Sequence, residues 1–304
     1  MSRVAVTLGD PRGIGPEIVA KVMQDPPVGA DFVILGPEEL VARYGSSGEA
    51  VGAVKNSGVV REFTADVSPK VAGRLTALAV ERAAEMALTG QVDAMVTGPA
   101  EKKALHEAGY NFPGHTEWLG QLAGANVAMM LASAELRVVL ITTHMPLRRI
   151  FDELTTDRVV AIGAIAKKDL ISRFRIAEPR LAICAVNPHA GEGGAFGDED
   201  DTILRPAAEA LGAIGPLPAD TVFVRAQRGE FDAVLAPYHD VGMTAIKMAA
   251  FGRAVNVTLG LPFVRTSPDH GTAFDIAGRN LADGNSMREA MEMAVRLSRS
   301  GGER

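Results

Sequence analysis

Five of the six histidines in this 304-residue chain lie in short polar phrases that follow apolar, β-branched runs. An imidazole in such a position can bind a divalent metal, transfer a proton or bind an anion near neutral pH. One loop histidine alone is most often a solvated surface residue, but five with the same placement favour a metal and substrate site at strand ends. The sixth, His106, belongs to the polar, helix-like segment AEKKALHEAG. The five are His115 in PGHTE, His144 in TTHMPL, His189 in NPHAGEGG, His239 in PYHDVG and His270 in PDHGTA.

The elements that must position these histidines alternate along the chain between apolar, strand-like runs and segments of helical periodicity. This alternation predicts an α/β fold with mostly parallel sheets and flanking helices. Ligands of open α/β sheets bind beyond the carboxyl ends of the strands, which is where the histidines fall. The strand-like runs include residues 4–8, 32–35, 94–97, 137–142, 181–186, 233–236 and 255–259. The helical segments include residues 18–23, 38–44, 69–88, 115–123, 157–174, 242–249 and 287–297.

The composition is that of a globular protein, with 47% hydrophobic and 22% charged residues. A net charge of −6 without a basic run argues against a nucleic-acid-binding surface. No run approaches the ~20 apolar residues that cross a bilayer, and the start MSRVAVTLGDP lacks the features of a signal peptide, so we expect a cytoplasmic protein without a membrane partner. The single cysteine, Cys184, lies in the apolar run RLAICAV and is expected in the core.

The phrase GDPRGIGPE (residues 9–17) follows the first strand-like run and opens a helix. Its glycines would let the backbone approach a ligand closely, but it matches neither GxGxxG nor the P-loop pattern. Two interpretations stay open, a direct ligand contact and a structural turn. In the first case, Asp10 is the expected polar contributor.

The phrase PDHGTAFDIAG (residues 268–278) resembles the adenine-ribose loop of isocitrate and isopropylmalate dehydrogenases, whose NAD-using members carry a similar HGxAxDxAG pattern. The resemblance implies that Asp275 lies near the adenosine ribose, where a carboxylate accepts hydrogen bonds from the 2′-hydroxyl and repels a 2′-phosphate. NAD is therefore expected rather than NADP. The alternative is that Asp275 caps a following helix. The other expected cofactor-binding residues are His270, Gly271, Thr272 and Ala273.

The whole chain resembles the 4-hydroxythreonine-4-phosphate dehydrogenase family of pyridoxal phosphate biosynthesis. The matching phrases occur in the family's order over residues 9–280: GDPRGIGPE, TGP, GHTE, THMPL, NPHAGEGG, YHD, FGRAVNVTLGLPFVRTS and DHGTA. The resemblance implies a homodimer with shared active sites and a fold similar to the isocitrate and isopropylmalate dehydrogenases. It implies a divalent metal held by His144, His189 and His239. It also implies substrate contacts from His115, Thr116, Lys247, Asn256 and Arg265.

These residue types suit metal-assisted oxidation of an alcohol. Three neutral imidazole nitrogens with open positions suit Zn²⁺ or a similar metal. The candidate ions are Zn²⁺, Mg²⁺, Mn²⁺ and Co²⁺. Such a metal lowers the pKa of a coordinated hydroxyl and stabilises the developing carbonyl as hydride leaves for NAD⁺. If the product is a β-keto acid, the metal can also accept the enolate charge as CO₂ departs.

Other side chains suit substrate binding and proton transfer. Lys247 and Arg265 supply fixed positive charge for a phosphate or carboxylate. Asn is disfavoured in strands, which argues for a function of Asn256 within AVNVTL. Lys102, in the loop TGPAEKKAL, and His115 are candidates for proton transfer. The alternative for Lys102 is the solvated face of a helix.

The substrate is less well defined than the reaction because some positions depart from the family pattern. Ala195 and Phe196 replace His-Met, Val241 replaces Gln, and Arg12 replaces a small residue. We expect a phosphorylated hydroxy acid such as 4-phosphooxy-L-threonine, with decarboxylation of the keto acid. Within the family, the alternatives are 4-phospho-D-threonate, D-erythronate 4-phosphate and cyclic dihydrodiol carboxylates. Two other classes are a metal-dependent hydrolase, which would not need the HGTAFDIAG loop, and a binding protein, which would seldom need three metal-binding histidines.

The resemblance also predicts the domain organisation. We expect two α/β lobes around a central cleft. The sizes of the two lobes are those of ordinary domains. Residues 1–118 and 262–304 would form the cofactor-side lobe. Residues 119–261 would form the lobe that binds metal and mediates dimerisation.

Overall fold

The computed structural model describes residues 1–55 and 57–299, and the chain divides into two compact units. The first unit comprises Met1–Ala125 and the described part of Leu261–Arg304, and the second comprises Asn126–Gly260. The boundary predicted at residue 118 falls inside a helix, His115–Ala123, that belongs entirely to the first unit. The division therefore lies just beyond the end of that helix.

The strands are short, and most are buried along their length, as parallel strands covered by helices must be. In chain order they are β1 (Ser2–Thr7), β2 (Ala30–Gly36), β3 (Gly48–Ala50), β4 (Gly58–Val60), β5 (Ala65–Val67), β6 (Ala94–Thr97), β7 (Ala128–Ala132), β8 (Arg137–Leu140), β9 (Leu181–Cys184), β10 (Ile214–Leu217), β11 (Ala233–Ala236), β12 (Val255–Leu259) and β13 (Val264–Pro268).

The longer helices begin and end with clear local signals. Ser68 caps α3 by accepting a hydrogen bond from Val71 N, and Pro69 suits its first turn. Gly124 ends α5 in the left-handed conformation that favours glycine. In chain order the helices are α1 (Gly15–Val22), α2 (Glu38–Val41), α3 (Pro69–Leu88), α4 (Lys102–Glu107), α5 (His115–Ala123), α6 (Ile150–Glu153), α7 (Thr156–Ser172), α8 (Arg205–Leu211), α9 (Ala219–Gln227), α10 (His239–Ala250) and α11 (Asn285–Ser298).

In the first unit, five parallel strands pair in the order β13, β6, β1, β2 and β3. Helix α3 packs on β1, β2 and β6, and α11 packs on β13, β6 and β1. The strands β4 and β5 form a separate antiparallel pair. Because β13, β6 and β1 are parallel neighbours, residues 268–278, the TGP phrase and the GDPRGIGPE phrase leave the sheet at the same edge.

In the second unit, the strands follow the order β10, β9, β11, β8, β7 and β12. The first four are parallel, whereas β7 is antiparallel to both β8 and β12. Helices α7 and α10 cover the sheet, with α9 against β9 and β11. The phrases that carry His189, His239 and His144 follow the adjacent parallel strands β9, β11 and β8, so they leave from one edge.

The core contains the one cysteine of the chain. Cys184 ends β9, is fully buried, and has a thiol pKa that burial raises to about 12. This agrees with the structural role expected from its apolar surroundings. None of the helices that the structure describes combines the length and apolarity needed to cross a membrane.

Candidate active site

His144 and His239 lie together at the strand ends of the second unit. Their ring centroids are 5.3 Å apart, with an angle of 48° between the ring planes. The two loops are tied to each other because the Thr142 hydroxyl donates a 2.7 Å hydrogen bond to the carbonyl of Pro237. The pairing of β8 with β11 thus explains why histidines almost a hundred positions apart become neighbours.

A cavity of about 310 Å³ opens beside this histidine pair. Its lining combines apolar side chains with polar residues at the N-terminus of α10. His144 is exposed, while the side chain of His239 is half-buried. The lining residues are Thr143, His144, Met145, Pro146, Leu147, Ile150, Tyr238, His239 and Asp240.

The His239 ring is oriented as in many metal-binding histidines. Its Nδ1 lies 2.6 Å from Asp240 Oδ1, and since an ionised carboxylate only accepts, Nδ1 carries the proton. The lone pair of Nε2 is then available to a metal. Two imidazoles so close together fit a divalent ion by donor type. Within residues 1–55 and 57–299, no three or more His, Cys, Asp or Glu side chains are grouped to hold a metal.

His189 belongs to a turn of left-handed backbone rather than to that pair. The φ angles of His189, Ala190 and Glu192 are 54°, 57° and 43°, a region that residues other than glycine rarely adopt. The turn is anchored where it begins, because buried Asp200 accepts hydrogen bonds from Val186 N at 2.9 Å and from Asn187 N at 3.0 Å. The imidazole itself is exposed, with Nδ1 3.6 Å from Glu192 Oε2.

The two other predicted substrate residues of this unit lie on α10 and β12. Lys247 is in the third turn of α10, with its Nζ 5.9 Å from the ring centroid of Phe251. Asn256 lies in β12 opposite Leu131 of β7. Its Oδ1 is buried, and no donor among the described residues lies within hydrogen-bond distance of it. An acceptor in this condition suits a bound ligand that donates a hydrogen bond.

In the first unit, the charge of Arg265 acts on the imidazole of His115. Arg265 lies in β13, is 3% exposed, and donates through Nη2 to Thr97 Oγ1 at 2.5 Å. Burial lowers the pKa of its guanidinium to about 10, partly offset by Glu117, so it stays charged at neutral pH. Burial, and then the charge of Arg265, lowers the pKa of His115 to about 3. The site therefore holds a buried cation beside a neutral imidazole.

The position of His115 follows from local structure. It is the first residue of α5, after Gly114, whose extended backbone starts the helix. Although the side chain is only half-buried, the Nε2 atom is shielded from solvent and finds no hydrogen-bond partner among the described residues. The next residue, Thr116, is buried as well. Both residues are thus largely shielded from solvent.

The sequence placed Lys102 in a loop, but the structure places it in a helix. It is the first residue of the short helix α4, and its side chain is exposed. The Ala104 side of the helix is buried, which directs Lys102 and its neighbour Lys103 toward solvent. This placement matches the other interpretation of Lys102, in which it belongs to the solvated face of a helix.

Beyond β13, residues 269–278 form bends and turns, with an exposed carboxylate at Asp275. The next helix, α11, begins at Asn285, so Asp275 does not cap it. The Nδ1 of His270 contacts the carbonyl of Gly271 at 3.1 Å, which leaves the lone pair on Nε2, a buried atom with no partner among the described residues. Space beyond the Cα of Gly271 is open to 4 Å. These features fit the adenosine half of a dinucleotide, which offers hydroxyl donors and a flat base.

The GDPRGIGPE phrase supports this loop, which favours the structural interpretation of that phrase. Ile14 N donates to the carbonyl of Thr272 at 2.9 Å. A Cβ on Gly13 would come within 2.8 Å of the same carbonyl oxygen, so the close approach requires glycine. Sequence reasoning missed Glu17, a completely buried carboxylate. The one available signal was an acidic residue four positions before Lys21 within an otherwise apolar helix.

The model of the family described as pyridoxal phosphate biosynthetic protein PdxA matches residues 41–294. The chain belongs to the PdxA family. A PdxA-family relative in Caulobacter vibrioides, named 4-hydroxythreonine-4-phosphate dehydrogenase, is 42% identical over 97% of both chains. A second, from Salmonella typhimurium, is named D-threonate 4-phosphate dehydrogenase and is 41% identical over 97% of this chain and 98% of its own.

Solved structures agree with the PdxA-family assignment. The 4-hydroxythreonine-4-phosphate dehydrogenase of Klebsiella pneumoniae superposes with a TM-score of 0.86 at 37% identity, covering 98% of each chain. A terephthalate 1,2-cis-dihydrodiol dehydrogenase of Burkholderia xenovorans gives 0.69 at 29% identity, over 97% of this chain and 98% of its own. A β-decarboxylating dehydrogenase of Thermococcus kodakarensis, at 14% identity and 0.51, shares the fold alone. The predicted α/β fold of the isocitrate and isopropylmalate dehydrogenase type is thus confirmed.

Proposed function

We propose that the protein is a metal- and NAD-dependent dehydrogenase that oxidises the hydroxyl group of a phosphorylated hydroxy acid such as 4-phosphooxy-L-threonine. Decarboxylation of the keto acid would follow. The observation that carries the proposal is the His144 and His239 pair, with ring centroids 5.3 Å apart at the ends of neighbouring strands. Membership of the PdxA family supports it, because relatives 41–42% identical are named dehydrogenases of phosphorylated hydroxy acids.

His144, His189 and His239 would hold the divalent metal, with Zn²⁺, Mg²⁺, Mn²⁺ and Co²⁺ as the candidate ions. When bound, the ion supplies Lewis-acid polarisation of the substrate hydroxyl oxygen. Asp240 supports this assignment, since its contact with Nδ1 directs the lone pair of His239 Nε2 outward. The imidazole of His189 lies exposed on its left-handed turn.

Arg265 and His115 would bind the anionic end of the substrate. A guanidinium that is only 3% exposed gains most from a phosphate or carboxylate, which it can contact through two N–H groups. With a pKa of about 3, His115 is too weak a base to remove a proton from an alcohol at neutral pH. We therefore assign His115 to substrate orientation, with Thr116 beside it. Lys102 stays the candidate for proton transfer.

Lys247 and Asn256 would also contact the substrate. Lys247 supplies a positive charge on α10, about two turns after His239 at the start of that helix. The unmatched Oδ1 of Asn256 would accept a hydrogen bond from a hydroxyl or amino group. An orphaned amide oxygen costs stability in the absence of ligand, which supports a binding role over a packing role.

NAD would bind at residues 270–275. The exposed Asp275 would accept hydrogen bonds from the adenosine ribose, and the lone pair of His270 Nε2 would accept another from the cofactor. Gly271, Thr272 and Ala273 would bring the backbone close to it, with Ala273 in a left-handed conformation at φ 42°. The hydrogen bond from Ile14 N to Thr272 O supports a preformed loop.

A homodimer with shared active sites is part of the proposal. Large apolar side chains are exposed on the second unit, close in sequence to predicted site residues. Leu147 lines the cavity beside His144, and Phe251 contacts Lys247. Exposed apolar groups of this kind are typical of interfaces between subunits. Mixing two inactive variants, His144→Ala and Lys247→Ala, tests sharing, because recovered activity requires each site to draw on both chains.

The experiment that tests the proposed reaction is a screen for NADH formation by the purified protein with each of the four metals. The substrates are 4-phosphooxy-L-threonine, 4-phospho-D-threonate, D-erythronate 4-phosphate and a cyclic dihydrodiol carboxylate. We expect turnover of a phosphorylated acyclic acid, and 4-phospho-D-threonate is the second candidate because of the Salmonella relative. Metal-dependent release of phosphate from these substrates without NADH formation would instead support a hydrolase.

A further inference from the structure

Phe274 is an exposed aromatic residue in the middle of the proposed cofactor loop. Its side chain is 42% exposed, although an aromatic ring normally gains stability by burial. Two hydrogen bonds hold the loop around it in place. Ile14 N donates to the carbonyl of Thr272 at 2.9 Å before the ring, and Gly278 N donates to the Glu17 carboxylate at 3.1 Å after it. The exposed ring is therefore presented by a supported loop.

Arg12 fixes the orientation of this ring. The carbon at the centre of its guanidinium lies 5.1 Å from the ring centroid of Phe274, a cation–π contact. The guanidinium is itself held by Asp10, through Nε at 3.0 Å and Nη2 at 2.7 Å, and by Glu101 through Nη2 at 2.7 Å. These hydrogen bonds raise the pKa of Arg12, and the one with Asp10 has the largest effect. Arg12 therefore stays cationic.

The charges around Arg12 exclude a simpler function as a phosphate-binding residue. Arg12 is matched by two carboxylates, Asp10 and Glu101, so the three side chains together carry a charge of about −1 at neutral pH. A cluster with that charge repels a pyrophosphate. What the cluster offers a ligand is the ring of Phe274, with one side occupied by Arg12.

We propose that Phe274, oriented by Arg12, is the surface on which the adenine base of the dinucleotide stacks. The inference rests on the proposed function, in which the adjacent Asp275 binds the adenosine ribose. Phe274 and Asp275 are consecutive and both exposed, and consecutive Cα atoms are only about 3.8 Å apart, so the ring is the aromatic surface next to the residue that would bind the ribose. Arg12 acts through Phe274 and is a positioning residue.

Direct binding to purified protein tests this without turnover. The ligands are NADH and ADP-ribose, which contain adenine, and reduced nicotinamide mononucleotide, which lacks it. We expect Phe274→Ala to weaken ADP-ribose and NADH about tenfold, within the range of base–aromatic stacking, and to leave the mononucleotide unchanged. Phe274→Trp should retain the affinity for ADP-ribose. The matched control is Phe63→Ala, which removes another aromatic–arginine pair, with Arg43 at 4.8 Å, outside the loop.

A double-mutant cycle tests the positioning function of Arg12. Arg12→Gln should weaken ADP-ribose severalfold in the wild-type background and have no further effect in the Phe274→Leu background. Equal ADP-ribose affinity of wild type and Phe274→Ala, or additive effects in the cycle, would overturn the inference while leaving the dehydrogenase proposal intact. Failure of wild type to bind either adenine-containing ligand would overturn both.

Discussion

The carboxylate of Glu17 in α1 accepts a hydrogen bond from the backbone N–H of Gly278, 261 positions later in the chain. The same group accepts a 2.9 Å hydrogen bond from Ala282 N and pairs with Lys21 Nζ at 3.0 Å. Lys21 in turn donates to the carbonyl of Ala282 at 2.6 Å. Helix α1 therefore holds the far end of the loop that carries Asp275.

This connection predicts a large stability loss for Glu17→Gln. The amide would present N–H to a backbone donor at a fully buried position and leave Lys21, whose side chain is 27% exposed, without its ionic partner. We expect the free energy of unfolding to fall by about 3 kcal/mol, as for other broken buried ion pairs. Urea denaturation measures it. The control Glu85→Gln changes a carboxylate that is 61% exposed and should shift stability by at most about 0.5 kcal/mol. Equal losses in the two variants would contradict the anchoring function.

The pKa of His115 predicts a loss of stability in mild acid. The imidazole takes up a proton near pH 6.5 in the unfolded chain but only near pH 3 in the folded one. Between these values the unfolded state binds more protons, so stability falls as the pH falls below 6.5. At pH 5 the loss due to this residue is about 2 kcal/mol.

Urea denaturation at pH 7 and pH 5 measures this effect in the wild type and in His115→Gln. The variant cannot titrate at this position, so between pH 7 and pH 5 its free energy of unfolding should fall by about 2 kcal/mol less than that of the wild type. An identical pH dependence in the two proteins would show that folding does not lower the pKa of His115.

The sequence predicted much of the fold because its signals were local. The helices predicted at 69–88 and 115–123 have those bounds in the structure. The strands β7 and β13 are among those that were not predicted. The residues AMMLA of β7 favour helices by propensity, and VRTSP of β13 contains one large apolar residue, so only pairing within a sheet makes them strands.

The site was predicted less completely, because proximity depends on strand order. The phrases around His144 and His239 identified loops at strand ends, but only the pairing of β8 with β11 explains their 5.3 Å separation. Neither Arg12 nor Glu17 was identified as a support of residues 268–278. Their partners lie more than 250 positions away, and no pattern in the sequence connects charges over that distance.

For the metal, we predict that His144→Ala, His239→Ala and His189→Ala each abolish turnover and sharply reduce bound divalent ion. The loss of one of three protein ligands leaves too few to retain it. Elemental analysis of the purified variants measures the content. The control is His106→Ala, which changes an exposed histidine of α4 and should affect neither property. Full metal content in the His189 variant would remove that residue from the site.

For proton transfer, Lys102→Met should change the pH dependence of kcat or the affinity for substrate, since an ammonium group in contact with a substrate acts through its charge. Steady-state kinetics across a pH range provides the measurement. Lys103→Met is a matched control, because Lys103 is 78% exposed beside Glu107. If the two variants behave alike and like the wild type, Lys102 belongs to the solvated face of α4.

For cofactor choice, a carboxylate at Asp275 predicts a preference for NAD. It gains charge-assisted hydrogen bonds from the ribose hydroxyls of NAD, and it repels the 2′-phosphate of NADP by about 1–4 kcal/mol depending on solvent access. The exposure of Asp275 places the effect toward the lower end, or about tenfold in affinity. Asp275→Ser and Asp275→Lys should narrow the preference through cofactor affinity and leave kcat largely unchanged, because the group lies far from the transferred hydride. Titration with NADH and NADPH measures the ratio directly. If the variants keep the wild-type ratio, other residues distinguish the two cofactors.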